Sequence, residues 1–253
     1  LPRATLAVLA GLAFGSAGVT FQTLLRNQLA SPDVIGISAG ASAAGVIGIV
    51  ILGLNETTVS LLALAAAIGT AVAIYALSYK GGFAGTRLIL IGIGVSSMLA
   101  VVTYTLAQAS AWDLQVATRW LTGSLNSAGW PRVAPLAATC AVILPSMWVN
   151  SSKLATMRFG DDTASGLGVQ VFSVRVWTIV AAVTLVAVAT ASCGPIAFVG
   201  LIVPHLCRLL VGTDHRWMLP FAGLAGACLL LAADTLGRVV TPNSEIDVGI
   251  ITP

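Results

Sequence analysis

Apolar runs of about 20 residues recur along the whole chain, separated by short polar connections, and a helix of that length can cross the hydrocarbon core of a bilayer. Because no connection is long enough to form a soluble domain, we expect an all-α polytopic membrane protein in which residues 1–253 form one membrane-embedded domain. The pattern predicts eight spanning helices, at 4–25, 34–53, 59–79, 88–108, 132–150, 174–193, 196–212 and 217–237.

The composition agrees with this pattern. Hydrophobic residues make up 57% of the chain and charged residues 8%, which leaves too little polar surface to cover a soluble fold. No secretory signal peptide is visible. The chain starts with Leu1 and stops at Pro253, where another apolar run begins, so we expect a fragment that lacks material at both ends.

The basic residues are divided unequally between the two sets of span ends. Since cytoplasmic loops carry the excess of Lys and Arg, the richer set is predicted to face the cytoplasm, and residue 1 the outside. The richer set is Arg26, Lys80, Arg87, Lys153, Arg158, Arg175, Arg208 and Arg216, and the poorer set is Arg3, Arg119, Arg132 and Arg238.

One cytoplasmic connection, residues 151–173, contains a polar island at 158–168. Asp161 or Asp162 is expected to cap the first turn of a short helix there, and Gly168 to end that helix in a left-handed conformation. A short helix lying on the surface between two spans suits contact with a soluble partner.

On the outer side, the segment 109–131 is too polar to span and contains Trp112, Trp120 and Trp130. Indole rings favour the membrane interface, so a short amphipathic helix near 113–122 is predicted at the outer face, either as a membrane anchor or with a role in gating.

Small residues at helical spacing predict close helix packing in lipid, either inside one subunit or at a dimer seam. They are Gly11 and Gly15 in the first span, and Gly36, Gly40, Ala44 and Gly48 in the second. Gly194-Pro195 and Pro204 predict a break and a kink, either structural or lining a pathway.

The chain offers little for catalysis. Residues 36–40 fit G-x-S-x-G around Ser38, but that motif needs a strand-to-helix elbow with His and acid partners, and it opens a membrane helix here. The four cysteines show no C-x-x-C pair, and no phosphate-binding loop is present. We therefore expect no catalytic residue, metal or cofactor in this chain, and no contact with nucleic acid.

Ion coupling would need ionisable groups deep in the membrane. Asp234 is the acid that lies well inside a predicted span, and Arg238 follows it by four residues on the same helix face. An intrahelical ion pair accounts for both residues. Energy for transport is therefore expected from a partner, with an ion-coupled secondary transporter as the alternative.

Several blocks, in order along the chain, carry a family resemblance. The blocks are LPR at 1–3, LRNQLASPDVIG at 25–36, WLTGSL at 120–125, GDDTA at 160–164, LGV at 167–169, GPIAFVGLIVPH at 194–205, DHR at 214–216 and LLAAD at 230–234. With these blocks, the chain resembles the permease subunit of type II ATP-binding-cassette (ABC) importers, the FecCD/BtuC-like group that takes up ferric siderophores, haem and vitamin B12.

The stretches RLILIGIGV at 87–95 and MRFGDD at 157–162 look most like ferric enterobactin-type permeases, with Gln28 as a departure where many members have proline. The resemblance implies a transport subunit, not an enzyme, in the bacterial inner membrane, with about ten spans, so that one helix is missing at each end. It implies a ferric siderophore as cargo, with vitamin B12 or haem as alternatives. The implied partners are a second permease subunit (identical or similar), two ATPase subunits that hold ATP-Mg, a substrate-binding protein and membrane lipid.

The resemblance also assigns roles to residues. It implies that 157–168 forms a coupling helix in a groove of the ATPase, with Leu167 as a buried anchor, and that Arg3 and Arg238 meet acidic residues of the binding protein. Ser97, Tyr104 and Gln108 share one face of a span, and they line either the pathway or a contact with a neighbouring helix. The residues expected to couple to the ATPase are Met157, Gly160, Asp161, Asp162, Thr163, Ala164, Leu167 and Gly168.

Overall fold

The computed structural model describes residues 1–33, 35–79, 85–108, 120–126, 128–240 and 247–252, and within them the regular elements are helices, with no strand. A π-helical turn, Ile47–Ile51, continues α2, and a 3-10 turn, Met157–Phe159, follows α6. The helices are α1 Pro2–Leu25, α2 Ile37–Val46, α3 Glu56–Ser78, α4 Gly85–Gln108, α5 Trp130–Val149, α6 Ser151–Thr156, α7 Asp161–Gly166, α8 Val171–Cys193, α9 Val199–Val211, α10 His215–Val240 and α11 Val248–Ile251.

Among the described residues, six helices are long and apolar enough to cross a membrane, namely α1, α3, α4, α5, α8 and α10. They coincide with six of the eight predicted spans. The other two predictions, 34–53 and 196–212, correspond to shorter apolar helices, α2 with its π-helical turn and α9. The 13 residues of α9 rise only about 20 Å, against a hydrocarbon core of about 30 Å.

Backbone turns explain why α2 and α9 are short. Gly36, immediately before α2, has φ +96°, and the break before α9 contains Gly194 with φ +77° and Phe198 with φ +65°. These left-handed conformations stop the chain from being helical there. The predicted break at Gly194-Pro195 is thus confirmed, whereas α9 runs through Pro204.

The most buried span is α1, which packs against α5, α8, α9 and α10. Its glycines allow this. A Cβ added to Gly11 would overlap the carbonyl oxygen of Gly226 on α10, and one added to Gly18 would overlap Gly200 on α9. Gly15 approaches Ala222 on α10 in the same way. The small-residue stripe of the first span therefore packs inside one subunit.

A second packing centre is α8, which contacts α2, α3 and α5 in addition to α1. On the other side of the bundle, α2 is covered by α3 and α4. Gly40 of α2 meets Thr70 of α3, and Gly45 receives the indole of Trp120. The second stripe thus also packs within the chain, and α4 is left at the edge of the bundle.

The connections meet at two opposite ends. At the basic end, the segment 150–170 reaches α1 and α8 through Asp161, which bonds Arg26 and Arg175, and reaches the connection after α9 through Arg158–Thr213. Trp148, at the end of α5, bonds the carbonyl oxygen of Arg216 at the start of α10. At the other end, called the outer end below, Arg3 pairs with Asp234, and Arg132 with Glu56. The predicted division of basic residues matches these two ends, with Lys80 and Arg119 outside the described residues.

Most of the predicted amphipathic helix at 113–122 lies outside the described residues, and residues 120–122 are helical. Trp120 packs on Gly45 of α2, so its indole is used inside the bundle.

Candidate functional site

The polar island consists of the end of a 3-10 turn and the short helix α7, which meet at Gly160. Gly160 has φ +111°, a conformation that favours glycine, and it redirects the chain between the 3-10 turn Met157–Phe159 and α7. At the other end of α7, the N–H of Gly168 donates to Ser165 O at 2.9 Å and that of Val169 to Ala164 O at 3.0 Å. Gly168 has φ +82°, which confirms the predicted left-handed ending.

The predicted cap at the start of this helix is wrong. Gly160 occupies the N-cap position of α7, and no side chain of the described residues caps it, although Asp161 and Asp162 both lie in the first turn. Asp161 cannot act as a cap because its carboxylate is directed to arginines of other elements. Its charge still lies at the positive end of the short helix.

Asp161 bridges two arginines with its two oxygen atoms. Arg26 Nη2, just after α1, donates to Oδ1 at 2.7 Å, and Arg175 Nη2, in the second turn of α8, donates to Oδ2 at 2.6 Å. Arg26 Nη2 also donates to the carbonyl oxygen of Met157 at 2.6 Å. Partial burial alone would raise the pKa of Asp161, but the hydrogen bonds and charges of Arg175 and Arg26 outweigh it and hold that pKa below its usual range.

The underside of the island is apolar. Met157 and Ala164 are buried in a small cluster with Leu154 of α6, Leu24 of α1 and Val174 of α8. The cluster fixes the island to the same two helices that Arg26 and Arg175 reach. The side chains of Met157 and Ala164, both predicted to be coupling residues, are therefore packed against the bundle.

The opposite face of the island is exposed. Leu167 is 68% exposed and Phe159 is 77% exposed, with Asp162 and Thr163 also in solvent. Two large apolar side chains on a polar surface are typical of a surface that a partner covers. Phe159 is not among the predicted site residues, although a large apolar residue inside a polar island indicates a contact surface.

A cavity of about 700 Å³ opens beside this face. Leu167 and Gly168 form one wall, and Lys153, Gln170 and Trp177 contribute to the others. Lys153 Nζ donates to Asn150 Oδ1 at 3.2 Å within the same region. The exposed face and the cavity therefore share Leu167 and Gly168 at the basic end.

At the outer end, Arg3 and Arg238 share one carboxylate. Arg3 Nε donates to Asp234 Oδ1 at 2.8 Å, and Arg238 Nη2 lies 3.3 Å from Asp234 Oδ2. The side chain of Asp234 is 2% exposed, that of Arg3 21% and that of Arg238 49%. The predicted Asp234–Arg238 pair is confirmed, and Arg3 joins it from α1.

Ser97, Tyr104 and Gln108 lie on the exposed face of α4, on the side away from α2 and α3. Ser97 Oγ donates to Ile93 O of the same helix at 2.8 Å. Ser97 is thus bonded within its own helix, and the three side chains share a surface that the bundle does not cover.

The residues considered for catalysis have structural partners. Ser38 Oγ donates to Asp33 Oδ1 at 2.6 Å, and His215 Nδ1 lies 3.1 Å from Thr23 Oγ1. Three cysteines are buried and Cys228 is exposed. Across the described ranges, no group of three or more His, Cys, Asp or Glu side chains could hold a metal ion.

Fold and site together define a multi-span helical membrane protein that holds a short amphipathic helix on its basic end. The chain matches the FecCD transport family over residues 1–253 and belongs to that family. It is therefore a permease subunit of the ABC-importer class and a multi-pass protein of the bacterial inner membrane, as its motifs predicted.

Individual relatives cover the whole chain. The ferric enterobactin transport system permease protein FepG of Escherichia coli is 39% identical over 253 residues, which are 100% of this chain and 76% of FepG. The Fe(3+) dicitrate transport system permease protein FecD of E. coli is 37% identical, covering 100% of this chain and 79% of FecD. The hemin transport system permease protein HmuU of Yersinia pestis is 37% identical, covering 100% and 77%.

Two solved structures share the fold. An inward-facing metal-chelate-type ABC transporter superposes with a TM-score of 0.91 at 29% identity, covering 100% of this chain and 82% of that one. PsaBC from Streptococcus pneumoniae, in complex with Fab, gives a TM-score of 0.65 at 18% identity, covering 99% and 85%. At that identity, the second likeness concerns the fold alone.

Proposed function

We propose that this chain moves a ferric siderophore across the bacterial inner membrane, driven by ATP hydrolysis on separate ATPase subunits. The observation that carries the proposal is the island at the basic end. It has an inner face bonded to α1 and α8, and an outer face on which Leu167 and Phe159 are exposed. Such a face suits a groove on a soluble partner, and the cytoplasmic side, where ATP is available, is the side that the basic residues favour.

In this mechanism, α7 is the coupling helix. ATP binding closes the partner ATPases, displaces α7, and changes which side of the membrane the pathway faces. Asp162, Thr163, Leu167 and Gly168 would form the contact surface. ATP-Mg would be held by the ATPase, and this chain would need no cofactor of its own.

At the outer end, Arg3 and Arg238 are the proposed docking residues for a substrate-binding protein with acidic residues on its lobes. Arg238 is the better placed of the two because about half of its side chain is in solvent. The binding protein would supply recognition of the cargo, so the permease would need no tight site.

The pathway would lie between this chain and a second permease subunit. Ser97, Tyr104 and Gln108 form an uncharged polar stripe on the exposed face of α4, which suits a bulky complex that must pass without sticking. In this arrangement α2 and α9 would complete a set of eight spans, with their short length made up by the turns before them.

The alternatives differ in cargo or in energy source. The alternative cargoes within the family are vitamin B12 and haem, and the relative HmuU is named as a hemin transport permease. An ion-coupled secondary transporter would need a carboxylate free to exchange protons or sodium. Asp234 does not suit that role because two arginines bond it.

The test is uptake of a radiolabelled ferric siderophore by cells that carry Asp162→Arg or Leu167→Asp, with co-purification of the ATPase measured in parallel. Both residues lie on the exposed face, so the variants should insert normally. Uptake and ATPase binding should fall together. Ser152→Asp, on an exposed position of α6 at the same end, is the matched control and should retain both.

Persistence of uptake in Leu167→Asp after the ATPase has been lost would contradict the proposal and favour an ion-driven carrier. Cargo is tested separately by competition, in which unlabelled ferric siderophore, haem and vitamin B12 are compared at equal concentration.

A further inference from the structure

The island contains a helix of only two turns, so its orientation depends on what ties it to the bundle. Among the described contacts of α7, Asp161 is the one side chain that is bonded to two spanning helices at once. One carboxylate oxygen is bonded to the end of α1 and the other to the start of α8. Since both oxygens are fixed, α7 cannot rotate or shift without changing its relation to both helices.

The last turn of α1 is in turn hydrogen-bonded to two further helices, α9 and α10. Gln22 accepts from Arg208 Nη2 of α9 at 2.9 Å and donates to the carbonyl oxygen of Leu201 at 3.3 Å. One residue later, Thr23 Oγ1 lies 2.8 Å from Val19 O and 3.1 Å from Nδ1 of His215 on α10, so it is hydrogen-bonded to that imidazole. Together with Arg26, this turn meets α7, α9 and α10.

Several of these groups are deeply placed. Gln22 is 3% exposed and His215 1% exposed. Buried hydrogen bonds between side chains hold their partners at fixed positions, because breaking them leaves polar groups without partners. Where α1 crosses α10, the backbones of Gly11 and Gly226 are in direct contact. These two helices therefore have little freedom to slide past each other.

We propose that Asp161 is the positioning residue of the coupling helix, which passes a displacement of α7 to α1 and α8 together, and that the last turn of α1 passes it on to α9 and α10. This inference rests on the proposed function of α7 as the contact for an ATPase. Beyond that function, Asp161 is named as the residue that converts contact with the ATPase into helix movement, and α1 and α8 as the helices that move first.

The contribution of Asp161 to folding is expected to be small, so its role in transmission can be measured separately from its effect on stability. The side chain of Asp161 is 45% exposed, and that of Arg26 equally so. The Arg26 pair, in contact with water, contributes little to folding. The Arg175 side chain is only 11% exposed, so the variant to use is Asp161→Asn, which keeps a side-chain oxygen that this guanidinium can bond. The apolar cluster of Met157 and Ala164 still attaches the island when the carboxylate is neutral. Loss of Asp161 should therefore leave the fold and the ATPase contact intact while transmission fails.

The experiment uses the complete importer in proteoliposomes and measures ATP hydrolysed per ferric siderophore imported. In Asp161→Asn, the ATPase should co-purify at the normal ratio, and the ATP consumed per transported molecule should rise about fivefold or more, the size of a typical coupling. Asp161→Glu should recover much of the coupling. Asp214→Asn, an exposed carboxylate at the same end that bonds only the backbone N–H of Arg216 among its described hydrogen bonds, is the matched control.

The two arginines provide an internal check. Arg26→Gln and Arg175→Gln should each raise the ratio, and the part of each effect that comes from the ion pair should vanish in the Asp161→Asn background, because both guanidinium groups bond the same carboxylate. Arg26 also bonds the carbonyl oxygen of Met157, so Arg26→Gln should keep a smaller effect of its own there. An unchanged ratio in Asp161→Asn with the ATPase bound would overturn the inference and leave the proposed function standing. Loss of the ATPase in Asp161→Asn would also overturn it, because Asp161 would then belong to the contact surface.

Discussion

Three aspartates of this chain have their carboxylates in three different environments. Asp161 lies between two arginines in partial contact with water, and Asp234 lies between two arginines at 2% exposure. Asp33, in the connection between α1 and α2, accepts a hydrogen bond from Ser38. Chain position separates Asp234, inside a predicted span, from Asp161, in a polar island, but it does not show which residues bond either carboxylate. What differs is the distant residue that reaches each carboxylate.

The titration of Asp33 gives a testable consequence. Burial raises the pKa of Asp33 from 3.8 to about 6, against the opposing effect of the Ser38 hydrogen bond. Because the folded pKa lies above the unfolded one, the stability linked to this proton is complete below pH 3.8 and is lost as the pH rises to about 6. The thermal midpoint in detergent should therefore fall over that range relative to Asp33→Asn.

Ser38→Ala should steepen the same loss, because it removes the hydrogen bond that favours the charged form of Asp33. Equal pH profiles for the original chain and Asp33→Asn would contradict the assignment.

At the scale of elements, glycines decide where helices stop and how closely they approach. Gly160 and Gly168 enclose α7 with positive φ angles, and Gly36 and Gly194 shorten the two helices that the hydrophobic pattern predicted to be full spans. Hydropathy measures apolar length and does not register backbone turns buried among other helices. The predicted boundaries were therefore reliable for the six long spans and too wide for α2 and α9.

The crossing of α1 and α10 can be tested with a matched pair of glycines. Gly11→Ala should destabilise the protein by about 1–3 kcal/mol, because the added Cβ overlaps the backbone of Gly226 and the helices must separate. Gly69→Ala, on α3 with nothing within 4 Å of the added Cβ, should be neutral or slightly stabilising. Thermal unfolding in detergent measures both, and equal midpoints would count against the close crossing.

At the scale of the whole molecule, α1 and α8 form the centre and α4 the edge. The island is attached to both central helices at the basic end, while the paired arginines of Asp234 join α1 to α10 at the outer end. A partner at either end therefore contacts elements that extend through the bundle. This connection across the bundle is the physical route that the proposed coupling of a cytoplasmic event to the outer face would use.

The outer end gives a prediction that separates docking from stability. Arg238→Ala should weaken association with the binding protein by about 0.5–1 kcal/mol, the size of an exposed ion pair, and the loss should shrink at high salt. Arg3→Ala should instead lower the thermal midpoint, because Arg3 is the less exposed partner of a buried carboxylate. Affinity in nanodiscs at two salt concentrations provides the measurement.

Arg216→Ala is the control for this experiment, since it removes the same charge from the basic end. If it weakened binding as much as Arg238→Ala, the effect would come from net charge and not from docking at the outer face.

The sequence by itself determined the features that depend on local patterns. Apolar length located the six long spans, the positions of arginines and lysines separated the two ends, and Gly168 marked the end of α7. The family motifs, spread along the chain, identified the transporter class. Each of these follows from residues that are neighbours in the chain, where helical periodicity and the preference of glycine for positive φ act directly.

Only the tertiary structure decided which distant residues meet. Arg26 lies 135 positions before Asp161, and Arg3 lies 231 positions before Asp234. Neither pairing is recorded in a local pattern, because each depends on how helices cross and which ends they bring together. For the same reason, the sequence assigned Asp161 to a cap, whereas packing of α1 and α8 around the island makes it a bridge between two helices.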